Sequence, residues 1–266
     1  MNPRTFLING LIAGFIAGLF AFGVAHQVGE PYVDQSIAVE EAGTPAPAPA
    51  EDHEHGDGAA TGHSHGGEEA GTEVSRDTQS TFGLLTATLA IGIVLGGIAG
   101  LASAFAVGRI GRLRPASSTA LVAFAGFVSF ALAGWAKYPP NPPAVGSSET
   151  IGSRTADYFT FQALSVLLAI GAVVLASKLA RKHEGWLATV VPALGWLVLI
   201  TVIGLILPTV NEVPNSFPAN TLWGFRLSSI ATQATMWGTI GVILSGLIAR
   251  TYRAQESRRA LADSIR

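Results

Sequence analysis

Between Glu51 and His65 the chain reads Glu-Asp-His-Glu-His-Gly-Asp-Gly-Ala-Ala-Thr-Gly-His-Ser-His, two His-x-His pairs set among carboxylates. Neutral imidazole is the commonest side-chain ligand of borderline transition metals, and short His-rich tracts are metal-binding in character, so His53, His55, His63 and His65 are candidate metal ligands. Four of the six histidines fall in this one stretch, which points to a protein that handles a divalent metal. Cysteine is absent, so disulfides, thiolate sites and cysteine nucleophiles are excluded, and a metal must be held through nitrogen and oxygen. Such ligands suit cobalt, nickel and zinc alike, and affinity order alone does not choose among them.

A second ligand set lies upstream, in His26-Gln-Val-Gly-Glu30-Pro31-Tyr-Val-Asp34. His26 and Glu30 are four residues apart and share a face if the helix persists to Glu30, so with Asp34 three nitrogen and oxygen ligands can converge there. The plainer reading makes His26 an interfacial side chain and Glu30 a solvated helix-end carboxylate. Glu212, in Asn211-Glu212-Val213-Pro214, is another carboxylate beside proline. The metal candidates are therefore His26, Glu30, Asp34, His53, His55, His63, His65 and Glu212.

The elements that position these residues follow from composition. The 266 residues are 49% hydrophobic and 13% charged, about half the charge of an average soluble domain, and the mean hydropathy is +0.43. Crossing a bilayer needs roughly 20 apolar residues. Six stretches qualify, at 6–25, 82–107, 119–136, 158–177, 186–207 and 227–249. The first exceeds the 7–15 residues usual for a signal peptide, which favours a retained helix. The expected fold is an all-α integral membrane protein, a bundle of six transmembrane helices.

Charge fixes the expected orientation. With six spans, Arg4, the loops with Arg109, Arg112, Arg114 and with Lys178, Arg181, Lys182, and the arginine-rich tail put 12 of the 16 basic residues on one side. The positive-inside rule makes that side cytoplasmic, with both termini there. The other side receives twelve carboxylates from Glu30 to Asp77, against a single Arg76. The organisation expected is a first helix over 1–26, an outer loop over 27–81 with a disordered His-rich segment at 43–72, five helices over 82–249, and a basic tail over 250–266. The 43–72 segment offers no large apolar residue to bury, hence the expected disorder. The tail suits either an amphipathic helix on the inner leaflet or a solvated arm.

Glycines at 10, 14 and 18 and at 92, 96 and 100 recur at helix-contact spacing, a sign of close packing in lipid. Four prolines in Lys137-Tyr-Pro-Pro-Asn-Pro-Pro-Ala-Val-Gly146 impose a stiff extended path after the third span. No Asp, Glu, Lys, Arg or His lies mid-span, whereas proton-coupled transporters usually place an ionisable group there. No Walker motif and no buried acid–base or nucleophile constellation is present, so the chain reads as neither an ATPase nor an enzyme.

These residues resemble the CbtA family of predicted cobalt transporter subunits. The matching pieces are Arg4-Thr-Phe-Leu with the glycine-rich first helix, Gly29-Glu30-Pro31, Ser75-Arg76, Gly108-Arg109, Lys137 to Gly146, Thr150-Ile-Gly with Arg154-Thr155, Leu207-Pro208, Asn211-Glu212-Val213-Pro214, Phe217-Pro218-Ala219, Leu222-Trp223 and Phe225-Arg226. They cover nearly the whole chain outside 43–72; the proline motif and Asn-Glu-Val-Pro are specific, the glycine patterns are not. The resemblance implies an inner-membrane protein of cobalt uptake and cobalamin supply, with a small single-span, histidine-bearing partner called CbtB. The family is usually described with five spans, one fewer than counted here.

The leading functional reading is a permease subunit whose outer histidine–carboxylate loop gathers Co²⁺ or Ni²⁺ and passes it to a vestibule near His26, Glu30 and Glu212. At −100 mV inside, a divalent ion gains about 4.6 kcal/mol on entry, enough to drive passage along a charge-free path. The alternative is a non-transporting chelating, sensing or assembly subunit. No tightly bound cofactor is expected; the partners are the divalent ion and the bilayer, not nucleic acid.

Overall fold

A computed structural model describes residues 2–43, 75–110, 113–182 and 185–264. His53, His55, His63 and His65, and the expectation of disorder over 43–72 beyond its first residue, lie outside the described residues. Among the described residues six helices are long and apolar enough to cross a membrane: α1 (Pro3–Ala42), α2 (Arg76–Ala106), α3 (Pro115–Lys137), α4 (Ile151–Leu179), α5 (Trp186–Ile206) and α6 (Ala219–Ser264).

The helix starts have local causes. Asn2 caps α1 by accepting a hydrogen bond from the Arg4 amide at 3.1 Å, and Pro3 occupies a first-turn position where a missing N–H costs nothing. Ser75 caps α2, and Pro115 begins α3.

The glycines bring α1 and α2 into backbone contact. A Cβ on Gly10 would overlap the Gly96 carbonyl, one on Gly14 the Gly92 carbonyl, and one on Gly100 the Phe6 carbonyl. Residue 10 meets 96 and residue 14 meets 92, so the two helices run antiparallel. The same alternation continues through the bundle, with Gly126 against Trp237 and Gly204 against Phe161. The buried core belongs to α1, α2, α3 and α6 and centres on Phe6, Ala13, Ala17, Ala21, Leu95, Trp237, Ile240, Leu244 and Ile248. The α4–α5 hairpin sits outside that core, with Leu167, Ile170, Leu197, Val198 and Leu205 exposed. Lipid is as apolar as these side chains, so such exposure costs nothing in a bilayer.

Two helices run beyond the expected span limits. The sequence reading ends the first helix at residue 26 and opens the outer loop at 27; α1 instead continues to Ala42, and α2 already begins at Arg76. Pro31 accounts for the manner of this continuation. Its ring would clash with the carbonyl four residues back, and the turn just before it, Ala25–Gly29, widens to π geometry, an adjustment that re-satisfies backbone groups freed by proline. Residues beyond Pro31 are then held by α6. The Tyr32 ring packs against Gly224, and Gln35 accepts a hydrogen bond from Thr221 at 3.0 Å. At the other limit α6 is continuous for 46 residues, about 69 Å at 1.5 Å per residue. The basic tail is thus the exposed extension of a membrane helix, with Tyr252 still packed on the core.

Two further wide turns occur at Gln79–Gly83 in α2 and Phe127–Leu132 in α3. A π turn breaks the regular ladder of carbonyl acceptors, and in both places a neighbouring helix supplies donors. Ser129 O accepts from Gln162 Nε2 at 3.2 Å and Ser165 Oγ at 2.7 Å, and Phe130 O accepts from Gln162 Nε2 at 2.6 Å. Ser80 O accepts from His26. The mid-span polar residues Ser129 and Gln162 thereby join helices.

Candidate functional site

The loops and helix ends that carry His26, Glu30, Asp34 and Glu212 lie at one end of the bundle, which holds two arginine–carboxylate clusters.

The first cluster joins the end of α1 to the start of α2. Because α1 stays helical past Pro31, Glu30 and Asp34 stand one turn apart on the same face. Arg76, the first helical residue after Ser75, reaches across and binds both. Its Nη2 pairs with Glu30, while Nη2 and Nε contact Asp34 Oδ1 at 2.9 and 3.0 Å. The Glu30 side chain is 13% exposed and that of Asp34 62%, so the pair grades from half-sheltered to open. One guanidinium against two carboxylates leaves this cluster with a net charge of −1.

His26 sits one turn below. Its ring stacks on Phe22, with centroids 5.4 Å apart, and its Nδ1 lies 3.0 Å from Ser80 O. A carbonyl can only accept, so Nδ1 donates, and in the neutral ring the Nε2 lone pair is left for a ligand. Metal-ligating histidines typically have their other ring nitrogen anchored in this way. The expected convergence of His26, Glu30 and Asp34 is not found: no group of three His, Asp or Glu side chains among the described residues is close enough to hold an ion. Arg76 lies between the carboxylates, and the π turn at Ala25–Gly29 shifts His26 off the face that simple fourfold spacing assigns it.

The second cluster is a cap built from the loops 138–150 and 207–218. The proline-rich loop is stiff, and its turn is made by Ala144 at φ +64° and Gly146 at φ +132°. A side chain at 146 would be strained there and would press on Arg154 Nη1. Glu212 stitches the two loops together. One oxygen accepts from the Thr150 hydroxyl, and the other accepts from the Ser147 amide at 2.8 Å and pairs with Arg154 Nη1 at 3.1 Å. These hydrogen bonds and the nearby guanidinium hold the Glu212 carboxyl below the usual carboxylate range. Lys137 Nζ donates to Leu207 O at 3.0 Å, and Tyr138 donates to Pro208 O at 3.0 Å. Burial and the nearby Asp157 push the Tyr138 hydroxyl up, keeping it a donor.

Arg226, in the first turns of α6, completes the cap from beneath. Its Nη2 donates to Asn141 Oδ1 at 2.9 Å and its Nε more weakly to Pro140 O at 3.4 Å, while its own carbonyl accepts from Trp135 Nε1 at 2.8 Å. A cavity of about 360 Å³ lies under the cap, lined among others by Tyr138, Arg154, Tyr158, Phe159, Glu212 and Arg226. A more open cleft of about 610 Å³ separates the cap from Val39 and Glu40 at the end of α1.

Of the sequence-expected ligands, the structure thus gathers Glu30 and Asp34 into one cluster, leaves His26 a turn away, and puts Glu212 in the other. The residues that sequence reasoning missed are the partners: Arg76 for the first pair, and Ser147, Thr150 and Arg154 for Glu212. A signal existed for Arg76, the lone cation among twelve carboxylates.

A family model described as Probable cobalt transporter subunit (CbtA) matches residues 3–249. No curated protein and no solved structure matches the chain.

Proposed function

Because the chain belongs to the CbtA family of probable cobalt transporter subunits, we propose that it is the permease subunit of a divalent-metal uptake system with Co²⁺ as cargo. It resides in the inner membrane as a six-span protein, with its arginine-rich end in the cytoplasm. The acidic segment between α1 and α2, with His53, His55, His63 and His65, faces outward and raises the local ion concentration. A subunit implies a partner, and a small single-span histidine-bearing protein of the CbtB kind is the one proposed.

The single observation that carries this reading is the net −1 cluster of Glu30, Asp34 and Arg76 at the head of the glycine-packed α1–α2 pair, one turn above an anchored imidazole. A guanidinium bridging two carboxylates occupies the place a divalent cation would take, so entry is an exchange in which the ion displaces Arg76. Fixed helix-end carboxylates then replace part of the ion's hydration shell, and the Nε2 of His26 offers the next ligand inward. Beyond it the α1 and α2 spans carry no ionisable side chain until Arg4 and Arg109. Glu212, with both oxygens engaged, is left out of the ion path and assigned to the cap.

The test is uptake of radioactive cobalt into liposomes holding the purified chain, with an inside-negative potential imposed. Saturable, potential-dependent uptake supports the permease. Binding to the liposome exterior with no entry, in the presence as well as the absence of a partner subunit, leaves a chelating or assembly role and sinks the proposal.

A further inference from the structure

The cavity under the cap does not have the chemistry of a cation site. Its charged lining is Arg154, Arg226 and Glu212, a net charge of +1, and both oxygens of Glu212 are committed to Thr150, Ser147 and Arg154. Arg226 bonds only to the neutral oxygens of Asn141 and Pro140, so its half-buried charge faces no carboxylate among the described residues. Leaving a sheltered charge uncompensated is costly, and it points to an anion that supplies the missing partner.

The hydrogen-bonding inventory agrees with the charge. Arg154 Nε is buried with no acceptor, and Arg226 Nη1 and Tyr158 Oη make no hydrogen bond among the described residues, although both side chains line the cavity. Asn211 turns its Oδ1 back to the Val213 amide at 3.4 Å, which leaves its NH₂ group for the cavity. Donors therefore outnumber acceptors. Planar guanidinium groups carrying spare N–H donors match the oxygens of phosphate groups in geometry as well as charge.

Helix α4, which supplies Arg154 and Tyr158, also lines the cavity with exposed apolar side chains. Ile151 and Phe159 both line the cavity and are each 62% exposed, and the guanidinium of Arg226 lies 5.7 Å over the ring of Trp223, an aromatic of the kind found at membrane interfaces. The cavity thus combines cationic donors that suit an oxyanion with exposed apolar surface that suits an acyl chain.

We infer that the cavity between α4, the head of α6 and the two cap loops binds a phosphate oxyanion, carried by an anionic phospholipid headgroup or by a soluble phosphate ester. The phosphate sits between Arg226 and Arg154 with Tyr158 donating to it, and its bound charge neutralises the cap. A volume of about 360 Å³ accommodates a glycerophosphate unit and falls within the roughly 300–1,000 Å³ of small-molecule sites. The inference does not rest on the transport reading, since it concerns charge complementarity in the cap alone.

The experiment uses the full chain in lipid nanodiscs. In one arm the discs contain equal phosphatidylglycerol and phosphatidylcholine, and native mass spectrometry counts the lipids retained. In the other arm the discs are phosphatidylcholine only, and sn-glycerol 3-phosphate is titrated while tryptophan fluorescence, to which Trp223 contributes, is followed. The parent is expected to prefer the anionic ligand about tenfold, with Arg226→Gln erasing the preference. Tyr158→Phe should weaken it roughly threefold, at an unchanged unfolding temperature because that hydroxyl makes no hydrogen bond among the described residues. Selective retention in the first arm identifies a lipid, and saturation in the second alone identifies a soluble ester; either result supports the site. A parent without preference in both arms, or a preference that Arg226→Gln leaves intact, overturns it. If Arg226→Gln does not accumulate, Tyr158→Phe decides, and parent-like selectivity in that variant overturns the site.

Discussion

Glu30 and Glu212 look alike in sequence, each an acid beside proline at the same end of a membrane helix bundle, yet their surroundings have opposite charge. Around Glu30 two carboxylates share one arginine, and the cluster is negative and partly open. Around Glu212 two arginines line one cavity, and the lone carboxylate is enclosed by hydrogen bonds. The difference teaches that a carboxylate is an ion ligand only if its neighbours leave its charge and lone pairs available. The first cluster can exchange its cation; the second uses its anion as a fastener.

Four measurements break or sharpen this contrast. The largest effect is expected from Glu30→Gln combined with Asp34→Asn, which turns the first cluster from −1 to +1. A unit charge at contact distance in water is worth about 1 kcal/mol against another unit charge, a figure that a divalent ion doubles and physiological salt roughly halves, so removing two carboxylates costs about 2 kcal/mol and cobalt uptake should fall roughly thirtyfold at subsaturating metal. Normal uptake at normal abundance would remove these residues from the ion path. Arg76→Gln works in the opposite direction, making the cluster −2. Half-saturation should shift about fivefold to lower metal, the worth of one such charge; a shift to higher metal would mean that Arg76 aids entry and does not compete with the ion.

Replacing His53, His55, His63 and His65 with Ala should raise the half-saturating concentration only roughly threefold and leave maximal uptake unchanged, because a tethered chelator alters local concentration and not the path. A lowered maximum would place these histidines in the path itself.

The smallest effect expected is a pH dependence confined to the cap. Since Glu212 is held below its ordinary value, its contribution to stability is present above the unfolded value, about 4.3, and is lost as pH falls through the lowered folded value. The unfolding temperature of the parent should therefore exceed that of Glu212→Gln by a constant margin from pH 7 down to about 5, and the margin should close only in more acid solution. A margin that closes between pH 7 and 5 would show that Glu212 is not fastened as described.

The spans were legible because twenty-residue apolar runs are dictated by bilayer thickness. The glycine seam was legible too, since Gly10 and Gly14 against Gly96 and Gly92 obey a simple spacing. Helix ends were not, because hydropathy falls at Glu30 while the helix goes on, held by Tyr32 on Gly224 and Gln35 on Thr221. The candidate ligands could be named from residue type, but their counterions could not. Arg76 meets Glu30 across 46 positions and Arg154 meets Glu212 across 58, and such pairings follow from how helices pack, which periodicity within one segment does not report. The wide turns were equally hidden, since nothing in Phe-Val-Ser-Phe-Ala-Leu distinguishes 127–132 from ordinary helix.

Those wide turns have an evolutionary consequence. Each holds one residue more than an ordinary turn, so each marks a place where a single-residue deletion is absorbed by a return to α geometry, at 25–29 only if Pro31 is replaced as well, with the faces on either side still aimed at the same neighbours. The same deletion between Gly10 and Gly18 would swing half of the seam by about 100° and part the helices. At 127–132 the change would forfeit the bonds from Gln162 and Ser165, a modest loss beside a broken seam. Length polymorphism in this lineage should therefore be found inside these helices, at 79–83 and 127–132 and, where residue 31 is not proline, at 25–29, and an alignment that forbids gaps within helices would misplace the residues on one side of each.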